Sequence, residues 1–232
     1  MNLHMHHEPV SGHTRKGIAG MLITLLTAAC QVTPHDIPAN ASIRPALQAH
    51  VWQCDDGTRI QSRNRPAAIE LRIGADLRML PQTPAASGVR YQTPEMTFWN
   101  KGDSATMERR PGTTTACSEI RAASLLEDAR IRGVAFRGLG NEPGWLLEIG
   151  PDSRVLFEDR YGSARMIFTD VKPQTGTTGA TTIYEGRSGK DRLRAVLQPR
   201  TCADTMSDET FPATVELEIN GERRIGCGTP LH

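Results

Sequence analysis

Short runs of alternating apolar and polar residues, separated by glycine, proline and aspartate, occupy most of the chain. Between about Ala49 and Cys117 they are HVWQ, AIELRI, VRYQ, MTFWN and SATMER, broken by Asp55-Asp56-Gly57, Gly74, Pro84, Gly88 and Lys101-Gly102-Asp103. Period-two alternation gives a strand one apolar face, and regularly spaced short strands with such punctuation predict a small antiparallel barrel. After Arg132 the pattern returns as WLLEI, SRVLFED, ARMIF, TTIYE, RLRAVLQ, TVELEI and ERRIG, which predicts a second antiparallel β domain. The polar stretch from Pro173 to Thr182 predicts a hairpin or an exposed loop.

One segment between the halves departs from this period. Ser124 and Glu127 have capping-box spacing, Leu125 and Leu126 follow the cap, and Gly133 stands as a stop signal after Arg130 and Arg132. The expected fold is therefore all-β, with two small antiparallel β-barrel-like domains joined by a short helix. The expected divisions are 48–118 for the first barrel, 119–133 for the linker helix and 134–232 for the second β domain.

The chain has 232 residues, with 27 Lys and Arg against 26 Asp and Glu, 38% hydrophobic residues and 23% charged ones, which excludes a polytopic membrane protein. The first half carries nine basic and seven acidic residues over 45–118, and the second thirteen and fourteen over 132–232, so neither has the basic excess needed to neutralise nucleic-acid phosphates. No nucleic-acid partner is expected.

The N-terminal residues look like an address. Arg15 and Lys16 precede the apolar run from Gly17 to Leu26, and small residues follow it, the three regions of a signal peptide. The run is far short of the ~20 residues that a transmembrane helix needs. Leu26-Thr27-Ala28-Ala29-Cys30 resembles the bacterial lipobox, with Thr27 where Leu or Val is usual. That resemblance implies a signal peptide over 1–29, a lipid on Cys30 and an anchor on a membrane facing the periplasm, with inner and outer membrane both open. The Pro-, Thr- and Asn-containing residues after Cys30 are expected to form a tether over 30–47.

Five cysteines are an odd number for a secreted chain, and lipidation of Cys30 leaves an even four. Cys54 with Cys117 and Cys202 with Cys227 are the expected disulfides, because each pair closes one strand-rich segment. On the chain-entropy model the two bonds stabilise by about 4 and 3.5 kcal/mol.

Candidate chemistry is sparse. His4, His6, His7 and His13 fall in the segment expected to be removed, leaving only His35, His50 and His232, so a His-based metal site or catalytic histidine has almost no candidates. There is no GxSxG, HExxH, CxxC or phosphate-binding loop. The adjacent carboxylates Asp55-Asp56, Glu127-Asp128 and Glu158-Asp159 are not acid/base pairs on this reading, because strand neighbours face opposite ways and turn carboxylates are solvated. Neither an enzyme nor a cofactor or metal is expected.

Four elements in the first half carry more. Cys54-Asp55-Asp56-Gly57, Ser87-Gly88-Val89-Arg90-Tyr91, Phe98-Trp99-Asn100-Lys101-Gly102 and Cys117 occur in that order. Together, over about Val51 to Cys117, they resemble the family of membrane-bound and periplasmic inhibitors of C-type lysozyme. Ala85-Ala86 before the Ser and Val89 after the Gly depart from the family's usual residues. The resemblance implies an eight-stranded barrel that plugs the lysozyme cleft, with Ser87 and Lys101 as inserting groups and Gly88 and Tyr91 beside them. Tyr91 could stack or hydrogen-bond at that contact, but Tyr91, Phe98 and Trp99 suit barrel core and loop support better.

The second half, through Phe136 to Trp145, Cys202 to Asp208 and Gly226-Cys227-Gly228, is similar to an uncharacterised domain of bacterial envelope lipoproteins. Asn141 and Glu142 before Pro143-Gly144 suit a ligand-binding corner or, more simply, a turn that orders Trp145. The functional expectation is an envelope-anchored proteinaceous inhibitor of C-type lysozyme. The rival is a non-inhibitory structural or ligand-binding envelope lipoprotein.

Overall fold

The computed structural model describes residues 48–176, 180–207 and 209–232. Cys30, the expected signal segment and tether, the histidines before His50, and Asp208 lie outside the described residues.

The first eight strands are β1 (Ala49–Cys54), β2 (Arg59–Arg65), β3 (Ala68–Ile73), β4 (Asp76–Thr83), β5 (Val89–Gln92), β6 (Met96–Lys101), β7 (Ser104–Arg109) and β8 (Thr113–Glu119). Each pairs with the next, and β1 pairs antiparallel with β8 to close a barrel. Alternation sends Trp52, Ile60, Ile69, Leu71, Leu80, Phe98 and Met107 inside, each almost wholly buried. Trp52 meets Phe98 edge-on at 5.7 Å and donates its indole N–H to Ser62 Oγ at 2.9 Å, so the large central side chain has its polar atom satisfied. Cys54 and Cys117 face each other across the closing β1–β8 seam and are joined by a disulfide.

The helix α1 (Arg121–Ile131) lies against β1 and ends as expected. Gly133 takes φ +78°, and the N–H groups of Gly133 and Val134 return to the carbonyls of Arg130 and Ala129, both at 3.0 Å. Val134 then packs with Ala129, Leu126 and Leu231.

The start of the helix corrects the expected capping box. The residue at the N-cap is Ile120, without a side-chain cap, and Ser124 lies inside the helix and is completely buried. Beyond the short β1–β8 ladder the edge of β1 is open at Val51, whose carbonyl accepts from Ile120 N–H at 2.7 Å and whose own N–H donates to Ser124 Oγ at 2.9 Å. The hydroxyl thus serves the barrel rather than its own helix. Glu119, just before the helix, is desolvated by burial, which would raise its pKa. Hydrogen bonds from His50 and Ser124, with the charges of His50 and Arg121, outweigh that and hold the carboxyl below its ordinary value. Ser124→Ala is expected to leave the Val51 amide unsatisfied and destabilise the protein by about 1–3 kcal/mol. A urea midpoint that does not move would show that Ser124 Oγ is not the required acceptor.

The remaining strands are β9 (Phe136–Asn141), β10 (Gly144–Ile149), β11 (Val155–Asp159), β12 (Ala164–Phe168), β13 (Pro173–Thr175), β14 (Thr182–Ser188), β15 (Asp191–Gln198), β16 (Cys202–Ala203), β17 (Thr210–Phe211), β18 (Ala213–Ile219) and β19 (Glu222–Pro230). Nine of them form one antiparallel sheet in the order β12-β11-β10-β9-β19-β18-β15-β14-β13, and β16 pairs with β17 beside it. The sheet does not close by hydrogen bonding, so it is a half-barrel. It curls until β12 approaches β14, where Gly186 leaves room for Phe168 and Val171. Its core holds Trp145, Leu147, Phe157, Phe168, Val215 and Leu217. Cys202 and Cys227 form the second disulfide.

Among the described residues the fold is therefore all-β with one α-helix and two disulfides, the first half a closed barrel and the second an open, curled sheet.

Candidate functional site

The Ser87 loop joins β4 to β5 and lies against the end of β6. Strand pairing sets Val89 opposite Asn100, Arg90 opposite Trp99 and Tyr91 opposite Phe98, so Ser87 and Gly88 fall at the level where β6 ends at Lys101. Gly88 has φ +64°, and a Cβ built on it would sit 3.2 Å from Lys101 Cβ and well inside contact with the Asn100 carbonyl oxygen. Absence of that carbon is what lets the loop rest directly on β6.

Ser87 is exposed, and its carbonyl accepts the indole N–H of Trp99 at 2.8 Å. Trp99 thereby clamps the loop from the outer face of the barrel. Lys101 is also exposed, and the Gly102-Asp103 turn that follows it is held by Ser104 Oγ donating to the Lys101 carbonyl at 3.0 Å. Two rigid hairpin features thus bring a hydroxyl and an ammonium to one end of the barrel.

Tyr91 does not share that exposure. Its side chain is 7% exposed and belongs to the barrel core, and desolvation raises its phenol pKa. It supports the loop from inside, whereas its cross-strand offset leaves Trp99, 41% exposed, on the outside.

The other sequence candidates have structural duties. Asp55 and Asp56 are exposed in the β1–β2 turn, where the Thr58 backbone N–H, 2.9 Å from Asp56 Oδ1, leads the causes that lower the Asp56 pKa. Asp128 is buried and takes both Arg132 at 2.9 Å and the Gln48 N–H at 2.7 Å. Glu158 and Asp159 are both buried and serve different partners, Arg165 at 3.8 Å and Arg224 at 2.9 Å. No adjacent pair points into one cleft.

The Asn141-Glu142-Pro143-Gly144 segment is the β9–β10 turn, and it delivers Trp145 into the half-barrel core. Asn141 hydrogen-bonds Asp204, whose pKa is lowered first by Ser207 and then by the Met206 amide against a desolvation that raises it. Among the described residues no group of three or more His, Cys, Asp or Glu is arranged to hold a metal ion, and no helix is long and apolar enough to cross a membrane.

A closed eight-stranded barrel that presents a serine loop and a lysine turn side by side defines the class: a small disulfide-closed β-barrel with an exposed loop and turn at one end. Residues 52–116 match the model of the family described as membrane-bound lysozyme-inhibitor of c-type lysozyme. The segment is also similar to the membrane-bound lysozyme inhibitor of C-type lysozyme from Yersinia enterocolitica serotype O:8 / biotype 1B (strain NCTC 13174 / 8081). The two are 33% identical over 69 residues, which cover 29% of this chain and 58% of that relative. The chain thus spans little more than half the length of the curated relative it matches. No solved structure matches the chain.

Proposed function

We propose that the barrel is a proteinaceous inhibitor of C-type lysozyme and that the chain is not an enzyme. The observation that carries the reading is the family match over 52–116, the stretch that contains both the Ser87 loop and the Lys101 turn. A lysozyme cleft holds one carboxyl kept protonated by an apolar pocket and one ionised carboxylate. A serine hydroxyl can donate to or accept from either, and an ammonium pairs with the ionised one. Inserting Ser87 and Lys101 together would occupy both catalytic groups and leave neither free to act on the glycosidic bond.

In this reading 48–118 is the inhibitory module, 119–133 its connection and 134–232 a second envelope module. The chain is exported under a signal peptide over 1–29 and held at the bacterial envelope, facing the periplasm, by a lipid on Cys30 and the 30–47 tether. One observation favours a structural or ligand-binding role for the rest of the molecule: the half-barrel lies wholly outside the matched segment.

The oxidised chain is expected to block lysis of cell walls by a C-type lysozyme at near-stoichiometric concentration. Absence of inhibition at high excess would hand the chain to the structural reading. Membrane fractionation of Cys30→Ala against wild type checks the anchor, since the variant is expected in the soluble fraction and the wild type in the membrane.

A further inference from the structure

Beside the Ser87 loop the outer face of the barrel forms a groove. Arg90, Trp99 and Thr106 make one cross-strand row over β5, β6 and β7, and Thr97 with Glu108 belongs to the next. The loop residues Pro84, Ala85 and Ala86 wall this floor, enclosing about 480 Å³. That volume falls within the range of small-molecule sites.

Its chemistry is specific. The Trp99 indole N–H is already spent on the Ser87 carbonyl at 2.8 Å, so the exposed ring is held in place and offers only its apolar surface. Thr97 is 5% exposed, yet its Oγ1 has no hydrogen-bond partner among the described residues. Native proteins seldom leave a buried hydroxyl unsatisfied, and this one lies under the groove floor with almost no accessible surface, so a ligand hydroxyl meets it once the side chains over it part. Arg90 has no carboxylate within ion-pair distance among the described residues, and Glu108 meets Arg110 at 3.4 Å. The groove therefore offers a flat apolar ring, a strong donor and a strong acceptor, over an unspent hydroxyl just beneath its floor.

A pyranose ring has the complementary surface, an apolar C–H face for an aromatic ring and a rim of hydroxyls that both donate and accept. The alternatives fit less well. A simple anion would meet Glu108, and a simple cation Arg90. A peptide would need pockets for its side chains, and the small residues Ala85 and Ala86 make only shallow walls. We propose that this groove binds a neutral oligosaccharide, with one pyranose ring on Trp99 and its hydroxyls reaching Thr97, Arg90 and Glu108. The site adjoins the proposed lysozyme contact, because Ser87 also lines the groove and Trp99 clamps the Ser87 loop, but it needs no lysozyme to be occupied.

The test is calorimetric titration of the full chain, without lysozyme, with two probes, triacetylchitotriose and cellotriose. At least one is expected to bind saturably, and the two arms show whether the acetamido group is required. Thr97→Val keeps the side-chain shape and removes only the unpartnered hydroxyl, so it should weaken saccharide binding about five- to tenfold while the melting temperature holds or rises. Trp99→Ala should abolish binding, and Arg78→Ala, on β4 away from the groove, should leave it unchanged. The proposal is overturned if neither probe saturates, or if binding survives both Thr97→Val and Trp99→Ala. It also fails if Thr97→Val lowers stability and binding together, or if a proline-rich peptide binds at Trp99 where the saccharides do not.

Discussion

Lysozyme inhibition is expected to weaken about ten- to hundredfold in Ser87→Ala and by at least as much in Lys101→Ala, with the fold unchanged. Ser87 Oγ has no hydrogen-bond partner and Lys101 Nζ no ion-pair partner among the described residues, so truncation removes nothing the barrel uses. The effect falls on the contact proposed for these groups. A lost hydrogen bond to a charged group typically costs about 1.5–3 kcal/mol, and breaking one side of a desolvated charge pair about 2–5 kcal/mol. At ~1.4 kcal/mol per decade these correspond to the stated losses.

Arg109 and Arg110 provide the charge controls. In the β6–β7 hairpin Lys101 pairs with Ser104 at one end while Arg109 pairs with Met96 at the other, so the arginines sit a strand's length from the proposed contact. Arg109 lies 3.9 Å from Asp56 and Arg110 3.4 Å from Glu108. Alanine at either should alter inhibition little. Inhibition constants that stay flat for Ser87 and Lys101 but collapse for the arginines would move the contact to the opposite end of the barrel.

Strands with a clean inner face could be read from the sequence, and those without one could not. The AIELRI and MTFWN runs became β3 and β6 because alternate residues fill the core. In β4 only Leu80 is buried, and Pro81 stands on the strand, so no apolar period announces it. The strand β9 carries Gly138 and Gly140, which look like breakers. Yet Gly140 and Gly226 lie close against the Trp145 indole, and a Cβ at either would overlap it, the one at Gly226 meeting the Leu139 carbonyl as well. That requirement belongs to the tertiary structure, as does the burial of Ser124, which resembled a helix cap only because its spacing to Glu127 allowed one.

The proposed site came from resemblance rather than from chemistry, since an exposed serine and an exposed lysine carry no signal alone. Strand parity could have added one residue. Phe98 and Trp99 are adjacent and cannot both face inward, and the pairing of Tyr91 with Phe98 inside the barrel puts Trp99 outside. What parity could not supply is the hydrogen bond from Trp99 to the Ser87 carbonyl, which needs the loop to fold back over β6.

Gly88→Val is expected to abolish most of the inhibition, by about a hundredfold or more, even though the variant keeps the Ser87 and Lys101 side chains. A non-glycine residue in the left-handed region costs about 1–2 kcal/mol. For a protein of this size that lowers the melting temperature by only a few degrees. The larger consequence is geometric. The new Cβ would overlap the Asn100 carbonyl oxygen, which belongs to the β6 backbone and cannot move without breaking the β5–β6 ladder. The loop must lift instead, parting Ser87 from the Trp99 indole and from the level of Lys101, and a contact that depends on two groups presented together loses its preorganisation. Gly74 isolates this effect: it has φ +61° in the β3–β4 turn, at the opposite end of β4, with nothing within 4 Å of a built Cβ. Gly74→Val should therefore show a similar loss of stability with inhibition intact. Equal inhibition by the two variants would mean that the loop need not rest on β6 to act.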